Sequence, residues 1–498
     1  MATATTSTDF ETVIGVEVHA QLLTRSKMFC SCSSSYAASP PNTHVCPICL
    51  GMPGVLPVIN RRAVEMTIMT GLALNCEIAA EAKFDRKNYH YPDLMKGYQI
   101  SEYDMPICQN GWLDIEVEGR HKRIGITRVH LEEDTARLLH VKNAAGEEYS
   151  LVDVNRSGVP LMEIVSEPDL RSAEEARAYL VKLRQILRWI GASAANMEEG
   201  NMRCEPNVSI RPRGANEFGA KVELKNINSF RHAYDAIRFE EKRQREVVLA
   251  GGKIQQETRG WREDIGVAVP QRSKEFAHDY RYFPEPDLPP LAIGREWVEE
   301  ILAGMPELPD TRRARFTQQY GLSDYDAGVL TGSRSLAEFF EATLVEWSQL
   351  AADLDQAQAA KTVANWLQSD VSRLLNARAV DIGDESVKVT PRHLAELLEL
   401  VRAGTINATA AKQVLDVVFE TGADPESVVA ERGLAQIGAG DEVTGVIEQV
   451  LAANPKAVED YRRGKQEAVK FLVGQVMRET RGRANAHLVT EMLVEKLG

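Results

Sequence analysis

Apolar and polar residues alternate with period two along Thr12–Gln21, Leu113–Glu118, Asn207–Arg211 and Lys221–Lys225, which predicts half-buried β-strands. Ile124–Val129 is a further strand-like run. From Ser172 to Ile190 the period becomes helical: Ala176, Tyr179, Leu180, Leu183, Leu187 and Ile190 form one stripe. Ser172 and Glu175 have the spacing of a capping box, and Gly191 stands where a C-terminal cap belongs. A second helix is expected from about Ser229 to Ala250, stopped by Gly251-Gly252, and the Pro-rich stretch Pro284–Leu291 reads as an extended exit. Beyond residue 295 strand patterns nearly vanish, and the segment from Gly404 reads as a linker followed by a helix. The expected plan is an α+β domain over 1–295, a helical connector over 296–404 and a helical tail over 405–498.

Composition adds limits. With 498 residues, 44% apolar and 26% charged, the chain has the make-up of an ordinary globular protein. No apolar run approaches the roughly 18 residues of a membrane span. The start, MATATTSTDF, has neither the apolar core of a secretory signal nor the arginines of a transit peptide, so a cytosolic location with reduced thiols is expected. The net charge of −14 argues against a broadly basic surface. Binding to nucleic acid depends on local patches, however, and one runs from Arg462 to Arg483. It holds Arg462, Arg463, Lys465, Lys470, Arg478, Arg481 and Arg483 against only Glu467 and Glu479.

Three groups of residues carry candidate chemistry. Cys30 and Cys32, then Cys46 and Cys49, are paired at the spacing that closes a tetrahedral zinc shell; four sulfur ligands leave no open position, so the ion would be structural. The competing readings are four unrelated thiols or, less in keeping with the compartment, disulfides. On Thr12–Gln21, Glu17, His19 and Gln21 share the polar face, while VHLEED offers Glu132, Glu133 and Asp134, and Glu163 faces away from Met162 and Ile164. Oxygen ligands from separate strands favour Mg²⁺, though polar strand faces are usually just solvated. Lys87, Lys96, Arg211, Lys221 and Lys225 supply cations, and no P-loop motif exists, so any ATP site is of another kind.

Eight ordered segments, among them ETVIGVEVHAQL, FDRKNYHYPDLMKGYQIS, HLEEDTARLLH, NRSGVPLMEIVSEPDLRS and DYRYFPEPDLPPL, closely resemble the B-subunit family of the Asp/Glu-tRNA amidotransferases (the GatCAB complex). The resemblance covers essentially the whole chain from residue 10. It implies a glutamine-synthetase-like cradle, then the helical connector and a small YqeY-like tail that touches tRNA, for which Lys465, Lys470, Arg478, Arg481 and Arg483 are the candidates. It implies that ATP phosphorylates the side-chain carboxylate of Glu-tRNA(Gln) or Asp-tRNA(Asn). Ammonia from a glutaminase A subunit then displaces phosphate, in a heterotrimer with a small C subunit. The family's Mg²⁺ ligands map onto Glu17, His19, Glu133 and Glu163, and Lys87 matches a position near the ammonia tunnel mouth. Arg211, Lys221 and Lys225 are the candidates for the ATP phosphates. The Glu-specific archaeal relative carries a large insertion that is missing here. No Gly-Gly-Ser-Ser amidase signature is present, so a glutaminase partner is required for ammonia. The competing class is a non-catalytic tRNA-binding adaptor.

Overall fold

The alternation first seen at Thr12 becomes a strand of twelve residues, β1 (Phe10–Gln21), whose Ile14, Val16, Val18 and Ala20 are buried on one face. In chain order there follow α1 (Arg61–Ala73), β2 (Phe84–Asn88), β3 (Tyr98–Glu102), β4 (Cys108–Val117), β5 (Arg120–Glu133) and β6 (Pro160–Ser166). Then come α2 (Ala173–Trp189), β7 (Met202–Pro212), β8 (Val222–Lys225), α3 (Phe230–Leu249), β9 (Glu257–Arg262) and β10 (Val267–Ser273). The computed structural model describes residues 9–273, 280–436, 441–480 and 482–498. Among these the strands form one mixed sheet in the order β10-β9-β8-β7-β1-β6-β5-β3-β2, with β4 also paired to β5. Only the β8–β9 pair is parallel. β1 therefore lies between β6 and β7, with both edges hydrogen-bonded.

The apolar face of the sheet is covered by α1, α2 and α3, whose buried residues join those of β1 in a single core. The stripe read on α2 is that core-facing side, with Tyr179, Leu180, Leu183 and Leu187 fully buried. Ser172 caps α2 by accepting from Glu175 N at 3.2 Å, but the Glu175 carboxylate reaches back to Arg171 N at 2.7 Å, one residue before the cap. Gly191 takes φ +69°, the left-handed conformation that ends a helix. Ser229 caps α3 in the same way, accepting from His232 N.

The chain divides into two compact units, Met1–Leu308 and Pro309–Gly498. The helix Arg295–Ala303 belongs to the first, since Trp297, Val298 and Ile301 pack on its core. Among the described residues the second unit has helices alone. Within it, Asn407 caps Ala408–Thr421, and a separate cluster of Val443, Ile447, Leu472, Val476, Val489 and Leu493 forms the core of the C-terminal helices. No helix among the described residues is long and apolar enough to cross a membrane. The fold is thus a mixed sheet layered with helices, followed by a helical unit.

Candidate functional site

With its other face packed, the polar face of the sheet is left to floor a cleft of about 980 Å³. The register sets ligand-type side chains abreast: Glu17 lies opposite Glu205 of β7, and His19 opposite Glu163 of β6. Two groups result. His19, Glu132 and Glu163 bring one ligand atom each within 4.8 Å of one another, and Glu17, Glu205 and Glu223 do the same. His19 Nε2 stands 3.4 Å from Glu163 and 3.8 Å from Glu132, and His130 Nε2 is 3.3 Å from Glu163.

The charges are strongly coupled. Burial opposes ionisation of Glu163, yet His130 and His19 hold its carboxyl well below the usual range. Burial likewise disfavours a charged His19, but Glu163 and Glu132 outweigh it and push the imidazole up to about 9. Glu17 is raised by burial and then by the like charges of Glu163, Glu205 and Glu223. Lys225, 2.8 Å from Glu205 and 3.6 Å from Glu223, stays above the ordinary lysine range because those carboxylates outweigh its burial. Converging carboxylates with this surplus of negative charge suit a hard divalent cation, whose oxygen ligands they would be.

The structure brings Glu17, His19 and Glu163 to this floor but not Glu133. Adjacent residues on a strand point to opposite faces, and on β5 Glu132 takes the cleft side. Glu133 points the other way, into a separate pocket of about 210 Å³ that it shares with Lys96 and Cys49. There its Oε1 pairs with Lys96 Nζ and accepts from Ile100 N at 3.0 Å. Lys87 does line the cleft, along with Lys221 and Lys225. Burial works against the Lys87 charge, and Glu132, Tyr282 and Glu163 restore it, so that its ammonium is held above the ordinary range. Arg211 is engaged elsewhere, with Nε 2.8 Å from Glu11 Oε1 and its guanidinium 5.4 Å from the Phe218 ring.

The four cysteines of the quartet converge, their Sγ atoms all within 4.8 Å. A zinc–sulfur bond of about 2.3 Å puts the corners of a tetrahedron about 3.8 Å apart, and Cys46 Sγ and Cys49 Sγ are separated by 3.9 Å. The hydrogen bond from Cys30 holds the Cys49 thiol well below the ordinary thiol range, and Lys27 adds to the effect. A cluster with one thiolate already favoured fits a metal such as zinc.

In the C-terminal helices Lys470 and Arg478 are exposed on Glu467–Glu479, eight residues and so about two turns apart on one face, with Gly474 open between them. Lys465 pairs with Asp460 at 3.0 Å, and Arg483 is partly buried. Arg481 lies outside the described residues.

Comparison with known proteins gives this geometry a family. Residues 12–299 match the GatB/GatE catalytic domain and residues 349–497 match the GatB domain. Three relatives are each named as the B subunit of an aspartyl/glutamyl-tRNA(Asn/Gln) amidotransferase. The protein of Dehalococcoides mccartyi is 56% identical over 98% of this chain and 99% of its own length. That of Thermomicrobium roseum is 55% identical and that of Carboxydothermus hydrogenoformans 53%, each over 98% of this chain and 99% of the relative. At this identity, over nearly the full length of both partners, the chain belongs to the B-subunit family of the aspartyl/glutamyl-tRNA(Asn/Gln) amidotransferases.

Proposed function

We propose that the cleft activates the side-chain carboxylate of Glu-tRNA(Gln) or Asp-tRNA(Asn) with ATP and then amidates it. The observation that carries this reading is the pair of clusters able to hold a metal ion that are built on one strand, Glu17 and His19 of β1, each completed by two carboxylates from the next two strands on one side. Phosphoryl transfer needs positioning and neutralisation of phosphate charge more than it needs covalent chemistry from the protein. Mg²⁺ bound at these groups supplies that neutralisation. His19, Glu132 and Glu163 form one ligand set, Glu132 standing where the resemblance implies Glu133; Glu17, Glu205 and Glu223 form the other. Lys221 and Lys225 meet the ATP phosphates, while Lys87 faces the incoming carboxylate.

In the first step a carboxylate oxygen attacks the γ-phosphorus, and the bond to the bridging oxygen breaks to release ADP. In the second, ammonia attacks the acyl carbon, phosphate departs with the bonding electrons, and a proton is released. A carboxylate cannot accept ammonia directly because its leaving group would be oxide; the acyl phosphate removes that obstacle, provided water is kept out. That the relatives are named as one subunit of a larger enzyme fits ammonia arriving from a glutaminase partner, the A subunit, with a small C subunit completing a heterotrimer. Structural zinc holds the Cys30–Cys49 loop, and the helical tail from residue 405 grips tRNA through Lys465, Lys470, Arg478, Arg481 and Arg483. The test is ADP release by the reconstituted complex. Release stimulated by misacylated tRNA and lost in Glu132→Gln supports the reading, whereas turnover indifferent to both leaves the chain a tRNA-binding adaptor.

A further inference from the structure

One end of the cleft is walled by tyrosines that the chemistry above does not use. The segment Tyr280–Pro284 lies along the edge of β2: Asn88 N donates to Tyr280 O at 2.9 Å, Asn88 Nδ2 donates to Arg281 O at 2.9 Å, and Phe283 pairs with Arg86. Arg281 takes φ +45°, a conformation that a residue with a side chain rarely holds and that recurs at ligand sites. Its neighbour Tyr282 stacks on Tyr103, just past β3, with ring centroids 4.0 Å apart and planes within 7°. Tyr280 meets Tyr282 edge-on at 6.0 Å and Tyr89 at 5.8 Å, and Lys87 Nζ lies 5.2 Å from the Tyr280 ring. Tyr103 nevertheless remains 54% exposed. A large aromatic side chain held flat against a second ring, yet open to water, is a ready platform for another flat ring.

We infer that the Tyr103–Tyr282 stack receives the terminal adenine base of the tRNA 3′ end, an inference that rests on the function proposed above. Position selects this base over that of ATP. The lysines assigned to the ATP phosphates include Lys225 on β8, and the tyrosine wall stands at β3 and β2, the opposite end of the sheet order. Six strand steps separate β8 from β2, about 29 Å at roughly 4.8 Å per step. Glu132 on β5 and Glu163 on β6 lie one and two steps from β3, which leads into Tyr103, and two and three steps from β2, so about 5–14 Å separates the phosphorylation centre from the wall. A Glu or Asp ester on the terminal ribose spans about 10 Å from side-chain carboxylate to base, over about eight or nine bonds at roughly 1.2 Å of advance per bond. The stack therefore fixes the last nucleoside at one end while the carboxylate reaches the ions at the other. Stacking reads the π-face of the base and leaves the amino acid free, so Glu and Asp esters are both accommodated.

The test uses the reconstituted complex and two uncharged tRNA probes, one with the complete 3′ end and one lacking only the terminal adenosine. Replacing a stacking aromatic by alanine weakens base binding by roughly 5- to 150-fold. Tyr103→Ala is expected to lose affinity in that range for the complete tRNA alone, with binding of the shortened probe and the KM for ATP unchanged. Tyr103→Phe, which keeps the ring, is expected to bind as wild type. A raised KM for ATP with tRNA affinity unchanged would assign the stack to ATP and overturn the inference, as would equal losses for both probes or no loss for either. Binding of uncharged tRNA needs no phosphoryl transfer, so this comparison stands even if wild-type ADP release proves indifferent to misacylated tRNA.

Discussion

Glu102 closes β3 beneath the cleft at 1% exposure, and its two oxygens are treated unequally. Oε2 accepts from Leu131 N at 3.0 Å and Ile107 N at 3.3 Å, whereas Oε1 has no hydrogen-bond partner. Burial pushes its carboxyl up to about 8 from an ordinary 4.5; the two backbone N–H groups pull the other way, and Asp85 adds to the rise. Between those values the folded protein keeps a proton that the unfolded chain has released. Its contribution to stability is therefore complete below pH 4.5 and is lost as pH rises through 8. The slope is about 1.4 kcal/mol per pH unit, so moving from about pH 5.5 to 8 costs about 3 kcal/mol through this one residue. Glu102→Gln removes the ionisation. Its amide oxygen can still accept both backbone bonds, while its NH₂ takes the unpartnered place at a cost of about 1–3 kcal/mol that does not vary with pH. Urea unfolding of wild type and variant at both pH values, followed by tryptophan fluorescence, to which Trp112, Trp189, Trp261 and Trp297 contribute from the first unit, measures the change. The variant should gain about 3 kcal/mol relative to wild type on going to about pH 8. A difference between the two proteins that is the same at both pH values would refute the reasoning.

Removing the metal from the cysteine cluster with a strong chelator, or substituting Cys49→Ser, should release about one zinc per chain and loosen residues 27–50. Structural zinc contributes about 10–16 kcal/mol in small peptides; elemental analysis finding far less than one zinc in the native protein would exclude the assignment, and hydrogen exchange follows the loop. In the tail, Lys470→Glu with Arg478→Glu should reduce the slope of log affinity for tRNA against log salt by about 1.8, at roughly 0.9 per lost phosphate contact on a duplex. A slope that does not change would mean that this helix face touches no phosphates.

Much of this site can be read from period-two alternation, and the points where reading fails have identifiable causes. Glu17 and His19 are legible because β1 alternates strictly from Ile14 to Gln21, and the cysteine pairs are legible because their spacing is local. The choice between Glu132 and Glu133 is harder, since the two are adjacent and both are natural ligands. The parity signal is nevertheless present: Val129 and Leu131 are buried in the core, and Glu133 shares their face, leaving His130 and Glu132 for the cleft. It is obscured upstream, where Ile124 and Ile126 are the core residues, because a register irregularity opposite Val165–Ser166 shifts the strand by one. Glu223 falls in the expected strand Lys221–Lys225 and Glu205 lies two residues ahead of the expected strand Asn207–Arg211, and neither can be placed next to Glu17, because pairing between strands far apart in sequence is set by the sheet order. The tyrosine wall is invisible for the same reason: Tyr103 and Tyr282 are brought together only when Phe283–Pro284 adds to the edge of β2.

The account turns on which carboxylates of β5 and β6 hold the ion, and manganese, which reports its own coordination by electron paramagnetic resonance, can replace magnesium at oxygen sites. Titration of Mn²⁺ into the complex bearing wild-type, Glu132→Gln or Glu133→Gln chains compares the two faces of one strand directly. Removing a ligand charge should weaken the tightest Mn²⁺ in Glu132→Gln by about tenfold or more, whereas Glu133→Gln, whose carboxylate faces Lys96, should bind as wild type. Unaltered binding in Glu132→Gln, with the loss appearing in Glu133→Gln, would contradict the account.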